Sequence, residues 1–283
     1  MNPLSYDFMQ YALLAGTFTA LAAGFVGYFV VLRNEVFTSD ALGHVAFTGG
    51  LGALVAGVQL LAGVFASTIA VAVGMGTLGG RSRGRDVAIG TVFAWVLGVG
   101  VLFLSLYTST RSASGGTTGV SILFGSILGL QSTQATITAV AAVTTTIALL
   151  AIARPLMFIS VDPDVAAARG VPTAMVTVFF LVLLGATVAE AVQAVGALLI
   201  FGLMVTPAAI AQRVTSRPYA GMLLSGALAI VFVWIGLTLA FYLPYPASFF
   251  ITAVAFGTYL VTVALAGLVR AGAARGQGLS GLE

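Results

Sequence analysis

Asp40 and His44, in the run Thr38-Ser39-Asp40-Ala41-Leu42-Gly43-His44-Val45-Ala46, are the side chains whose types and spacing most readily do chemistry. Four residues apart on a helix, they leave the same face with Cβ atoms roughly 6 Å apart, close enough for a carboxylate and an imidazole to share one cation. His44 is the only histidine of the sequence. An aspartate inside an apolar bundle costs several kcal/mol unless it is paired or ligates something, which makes Asp40 a functional candidate. The same spacing also suits a structural pair, with Asp40 at the headgroup layer near Arg33 and His44 satisfying a backbone carbonyl. Spacing alone leaves both readings open.

Glu190 is the other acid in apolar surroundings, with Gln193 one turn further on. It is expected near an external turn between two spans, either as a solvated acid at a helix N-terminus or as a vestibule ligand that hands a metal cation inward. Thr206-Pro207 lies inside an apolar run, where the proline frees a carbonyl and kinks the helix, a device found where helices line a pathway. Gly125-Ser126 admits a serine hydrolase dyad with His44. Its orienting acid would have to be Asp40, one helical turn from the same imidazole, and that geometry is poor. Asp7, Glu35, Asp86 and Glu283 read as solvated charges of loops and termini.

The elements that must position these residues follow from composition. Of 283 residues 60% are hydrophobic and only 7% charged, and the mean hydropathy is +1.13. Soluble domains carry roughly 25% charged residues, so soluble-enzyme readings are excluded and an integral membrane protein is expected. Cysteine is absent, which removes disulfides and thiolate ligands and leaves oxygen and nitrogen for any metal. All eleven basic residues are arginine, so no P-loop lysine holds ATP phosphates and any ATP is hydrolysed on another chain. The net charge of +3 reflects arginines in short loops and not a nucleic-acid surface.

At about 20 apolar residues per crossing, the chain forms one transmembrane domain over residues 1–283, an all-α polytopic bundle of eight or nine spans. The first, Tyr11 to Leu32, follows no basic n-region, so no signal peptide is expected. After Arg33-Asn34-Glu35, residues 41–80 hold two short spans joined by a turn near Leu60 to Gly63, with Gly49, Gly50, Gly74, Gly76, Gly79 and Gly80 offering small faces for close packing. Arg81, Arg83 and Arg85 mark the cytoplasmic side. A span from Val87 to Tyr107 leads to an external loop, Ser109 to Gly119. Val120 to Leu130, too short to cross, is expected as a re-entrant half-helix. Ala135 to Ala153 returns inward to Arg154.

Asp162 then caps a short cytoplasmic helix, with Pro163 at its first position, Asp164 at its positive end and Gly170 ending it. Spans at Thr173 to Ala189, Ala191 to Gln212, Tyr219 to Tyr242 and Ala247 to Val269 complete the count. The arginine distribution places the N-terminus outside and the C-terminus in the cytoplasm.

Four stretches resemble the membrane permeases of ATP-binding-cassette importers for divalent zinc, manganese or ferrous iron, and the resemblance extends over nearly the whole chain. They are Ser39 to Ala46, Leu123-Phe124-Gly125-Ser126-Ile127-Leu128, Asp164-Val165-Ala166-Ala167-Ala168-Arg169-Gly170-Val171, and Val195-Gly196-Ala197-Leu198-Leu199 continuing to Val205-Thr206-Pro207-Ala208-Ala209. The resemblance implies that Asp40 and His44 form the intramembrane cation pair. It implies too that Asp162 to Gly170, with Asp164 and Arg169, is the coupling helix that docks on a cytoplasmic ATPase. A permease homodimer, two ATPase subunits and an extracellular metal-binding protein are the implied partners in the cell membrane. The divalent ion is substrate, with no permanent cofactor. Glu190 departs from the pattern, leaving open an additional ligand. A carrier or channel that uses the same Asp/His pair as a proton relay without an ATPase is the alternative from another class, and a permease for an iron chelate or vitamin is a second.

Overall fold

After Asp7 no charged side chain interrupts the sequence up to Leu32, and Asp7–Leu32 forms a single helix, α1, of 26 residues. At 1.5 Å per residue it is about 39 Å long, more than the hydrocarbon thickness of a bilayer. The computed structural model describes residues 3–78, 85–110, 122–123, 125–197 and 199–279. Among these lie ten α-helices: α1, α2 (Val36–Val55), α3 (Leu60–Leu78), α4 (Arg85–Thr110), α5 (Ser132–Val161), α6 (Pro163–Ala168), α7 (Thr173–Ala194), α8 (Ile200–Val214), α9 (Pro218–Tyr242) and α10 (Ala247–Leu279).

Seven of them, α1, α3, α4, α5, α7, α9 and α10, are long and apolar enough to cross a membrane. The eight or nine expected spans are these seven together with α2 and α8. α2 has the length, 20 residues, but carries Asp40 and His44. α8 is apolar but only 15 residues long.

α1 is the hub, packing against α9, α5, α8 and α7. Small residues let the backbones close in. Gly24 lies against the backbone of Ser225 and Gly226, and Gly27 against the Met204 carbonyl. Ser225 Oγ donates to the Gly24 carbonyl across 2.7 Å, and Gln212 Nε2 to the Tyr28 carbonyl across 3.1 Å. On the other side α2 packs against α3 and α4, and α7 joins the two halves through α2, α3 and α5. Of the glycines expected to offer small faces, Gly49 meets Ser67 and Gly63, and Gly76 meets Val178, while Gly74 has nothing within 4 Å. Gly79 and Gly80, Arg81 and Arg83 lie outside the described residues, as does most of the expected external loop.

Helix ends follow local rules where the sequence supplies them. α1 stops because Asn34 takes a left-handed φ of 56°. Glu35 N–H then reaches back to the Val30 carbonyl at 2.8 Å and Asn34 N–H to that of Val31 at 3.3 Å, the hydrogen bonds of a Schellman cap. Gly57, with φ 72°, ends α2 in the same way. The turn between α2 and α3 is therefore at residues 56–59, a few positions before the expected Leu60 to Gly63.

Two further expectations are corrected. α5 does not end at Arg154 but runs on through Pro155 to Val161. The proline forfeits one hydrogen bond, while Leu156, Met157 and Ile159 beyond it are buried and hold the extension in place. Of the short segment expected as a half-helix between α4 and α5, residues 122 and 123 are helical and a 3-10 turn follows at Ile127–Gly129, while residues 120, 121 and 124 lie outside the described residues. Gly125 there has φ 72°, and its Cα sits against Ala194 and Val195. Last, the boundary expected between Ala189 and Ala191 does not exist. α7 continues to Ala194 and the chain breaks at residues 195–199, where Gly196 has φ 94° and Ala197 N–H donates to the Ile122 carbonyl at 3.0 Å.

The inserted segment and this break thus hold each other. Gly125→Ala places a Cβ against the Val195 carbonyl carbon and the Ala194 oxygen at a left-handed backbone position, and is expected to cost about 2–4 kcal/mol. Gly74→Ala, with open space around it, should be neutral or slightly stabilising. Thermal unfolding of the two variants in detergent checks the difference.

Candidate functional site

α2 begins with Val36 and carries its polar residues near that end. Thr38 and Ser39 are buried, and both find local partners: Thr38 Oγ1 donates to Glu35 Oε2 at 2.7 Å and Ser39 Oγ to the Val36 carbonyl at 2.8 Å. Glu35, expected as a solvated loop charge, is in fact 3% exposed. Arg33 turns toward α7, donating from Nη2 to Thr177 Oγ1 at 3.1 Å and lying over the Phe180 ring at 5.5 Å. The structural reading that tied Asp40 to Arg33 gains no support from this arrangement.

Asp40 and His44 stand one turn apart on α2, both half-buried. Asp40 lines a cavity of ≈ 690 Å³ together with Asn34, Val36 and Phe37 of its own neighbourhood, Val87 of α4 and Phe201 of α8. The His44 ring packs edge-on against Phe93 of α4, with centroids 5.0 Å apart. Gly43, between the two, is where α2 meets the α7–α8 break: a Cβ there would stand 2.8 Å from the Ala197 carbonyl oxygen. The carboxylate, an open cavity and irregular backbone thus meet on one stretch of α2, with the imidazole one turn from the carboxylate. Thr48 Oγ1, one turn further, ties α2 to the Val96 carbonyl of α4 at 3.0 Å and fixes this face against its neighbour.

Two other expectations resolve differently. Glu190 is no turn residue: it lies inside α7, 1% exposed, and neither carboxyl oxygen receives a hydrogen bond. Among the described residues no group of three or more His, Asp or Glu side chains could hold a metal ion, so Glu190 does not join Asp40 and His44 in one ligand cluster within the chain. Ser126 is exposed in the inserted segment, and no hydrogen bond among the described residues links it to His44. Pro207 stands buried inside α8, which continues past it, with Thr206 half-buried beside it.

The short helix α6 forms as its residues dictate. Asp162 Oδ1 accepts from Asp164 N–H at 3.1 Å and Val165 N–H at 3.0 Å, and Pro163 takes the first position. Gly170, φ 81°, closes it through Val171 N–H to the Ala166 carbonyl at 3.1 Å. Ala166 alone is buried; Asp164, Val165, Arg169 and Gly170 are exposed, and Val161 just before the helix is 72% exposed. One small side chain anchors the element, and the rest of it faces outward.

The described residues thus form a polytopic bundle of apolar helices, with a carboxylate–imidazole pair beside the α7–α8 break and a short capped helix between α5 and α7. Residues 5–266 match the ABC 3 transport family, and the chain belongs to that family as one of its membrane permeases. It is 30% identical to the manganese transport system membrane protein MntC of Halalkalibacterium halodurans over 218 residues, 76% of this chain and 72% of that protein. Over 211 residues it is also 30% identical to the chelated iron transport system membrane protein YfeD of Yersinia pestis, 74% of this chain and 69% of that one. The solved structure of PsaBC from Streptococcus pneumoniae in complex with Fab superposes with a TM-score of 0.80 at 26% identity, covering 92% of both chains.

Sequence reasoning missed the cavity wall formed by Asn34, Val87 and Phe201. These residues come from three separate segments and share no local pattern. It also missed the burial of Glu35, although Thr38 three residues on offered a partner at helical spacing.

Proposed function

We propose that this permease carries a divalent transition-metal ion, manganese, ferrous iron or zinc, into the cytoplasm as part of an ATP-driven importer. The observation that carries this reading is the half-buried Asp40/His44 pair on α2, at the edge of a cavity and against the break between α7 and α8. A divalent ion cannot cross hydrocarbon unless the protein supplies charge-bearing ligands, and a carboxylate with a neutral imidazole suits manganese, iron(II) or zinc. Two ligands are few. A homodimer that faces two copies of the pair across its axis supplies two carboxylates and two imidazoles, so two negative charges meet one doubly charged ion. The manganese and iron transport names of the relatives support the cargo class.

In this reading the N-terminus is external, the C-terminus cytoplasmic, and the protein resides in the cell membrane. ATP is hydrolysed by a separate cytoplasmic ATPase that grips α6, and the metal arrives on an extracellular binding protein. Because α6 follows directly on α5, motion of the ATPase reaches the bundle through that helix and opens the Asp40/His44 site alternately to either side. The half-buried Thr206 and buried Pro207 of α8 border the route, where the carbonyl freed by the proline allows the helix to bend.

The test is capture followed by transport. The tagged permease is expected to retain an ATPase subunit on purification, and metal uptake should stop when that ATPase is inactivated. Uptake that continues without it would favour a carrier or channel.

A further inference from the structure

Glu190 lies one turn before the end of α7, 1% exposed, with both carboxyl oxygens lacking a hydrogen-bond donor. The polar side chain beside it is Thr145 of α5. That hydroxyl donates to the Ala141 carbonyl at 2.9 Å, and its one proton cannot serve that carbonyl and Glu190 at once. Thr187, one turn earlier on α7, has likewise spent its proton on the Leu183 carbonyl at 2.9 Å.

No hydrogen bond among the described residues joins a charged or titratable group of the surrounding helices to Glu190. α3, packed along α7, contains none. α5 offers only Arg154, nine residues beyond Thr145 and about 13 Å along the helix. α1 carries Asp7, Tyr11 and Tyr28, and α2 carries Asp40 and His44. α6 brings Asp164, with Arg169 just after it, and α8 brings Arg213. Arg33 bonds Thr177, thirteen residues from Glu190 and about 20 Å along α7.

An ionised carboxylate only accepts hydrogen bonds, and so does a hydroxyl whose proton is already committed. With that proton on Ala141, an ionised Glu190 and the Thr145 oxygen are two acceptors side by side in the core of a membrane bundle; with it turned to Glu190, a full negative charge rests on a single neutral donor. One proton on the carboxyl group makes the pair a donor and an acceptor. Sodium or a divalent ion would instead require a shell of several oxygens, and among the described residues one carboxyl group beside one hydroxyl does not provide it. We propose that Glu190 is a proton-binding site in the α3–α5–α7 core, separate from the Asp40/His44 pair, with Thr145 accepting the hydrogen bond of the bound proton. The site stands whether or not the permease carries metal.

Infrared difference spectra of the full-length chain in lipid, recorded in light and heavy water, test this. The native protein is expected to show the carbonyl stretch of a neutral carboxylic acid, shifted by deuteration and lost in Glu190→Gln. In Thr145→Val, which keeps the shape and removes the acceptor, the band should persist and move to the higher frequency of a carboxyl group with no partner. Identical spectra for the native chain and Glu190→Gln would overturn the proposal. So would a Glu190 signal consisting only of carboxylate bands displaced by added sodium or manganese. The band is read without transport, so failure of metal uptake would refute the cargo reading and leave this result intact.

Discussion

In proteoliposomes holding the complete importer, Asp40→Asn is expected to lower divalent-metal uptake at least about 100-fold with little change in the amount of folded protein. The substitution preserves volume and one acceptor oxygen but removes the negative charge. Changing even an outer partner of a metal ligand costs 10–100-fold in affinity or activity, and removing a charge-bearing ligand from each half of a dimer should exceed that. His44→Ala is expected to follow in the same direction. The imidazole packs edge-on against Phe93, with ring centroids 5.0 Å apart. If the pair were only structural, both variants would melt at lower temperature yet transport normally per folded molecule.

Breaking α6 is expected to separate ATP hydrolysis from transport. Asp162 alone satisfies two amide groups at the start of this six-residue helix, so Asp162→Ala costs about 1 kcal/mol of local stability, roughly a fivefold shift toward the frayed form. Metal uptake should fall by about that factor or more while the ATPase subunit continues to turn over. Arg169→Glu leaves the helix intact and reverses an exposed charge; it should weaken retention of the ATPase on purification, and more so at high salt. Normal uptake in both variants would remove α6 from the coupling role. Paired assays of ATP turnover and metal uptake separate the two outcomes.

The contrast between α6 and Glu190 shows where sequence reasoning holds. Asp162, Pro163 and Gly170 act within a few residues of themselves, and the caps they form are those their types predict. Asp40 and His44 were legible because helical spacing is also a local rule. Glu190 was misplaced because a carboxylate in an apolar run was taken to mark a turn. The actual break lies at Gly196, and its left-handed backbone is held by Ile122 and by the approach of Gly125, some seventy residues earlier in the chain. No local pattern carries that information. α5 overruns its expected end at Arg154 because Leu156, Met157 and Ile159, beyond Pro155, are buried and hold the extension. At Gly57 the signal was present: a glycine after an apolar run is the usual left-handed cap.

Elemental analysis of metal-starved cells tests the central claim most directly, comparing cells that express the whole importer with the native permease, with Asp40→Asn, and with an inactive ATPase, at matched membrane levels. The account predicts that manganese, iron or zinc accumulates only where the native permease and a working ATPase are both present. Equal metal content in all three strains would contradict it, because the Asp40/His44 pair would then carry no cargo.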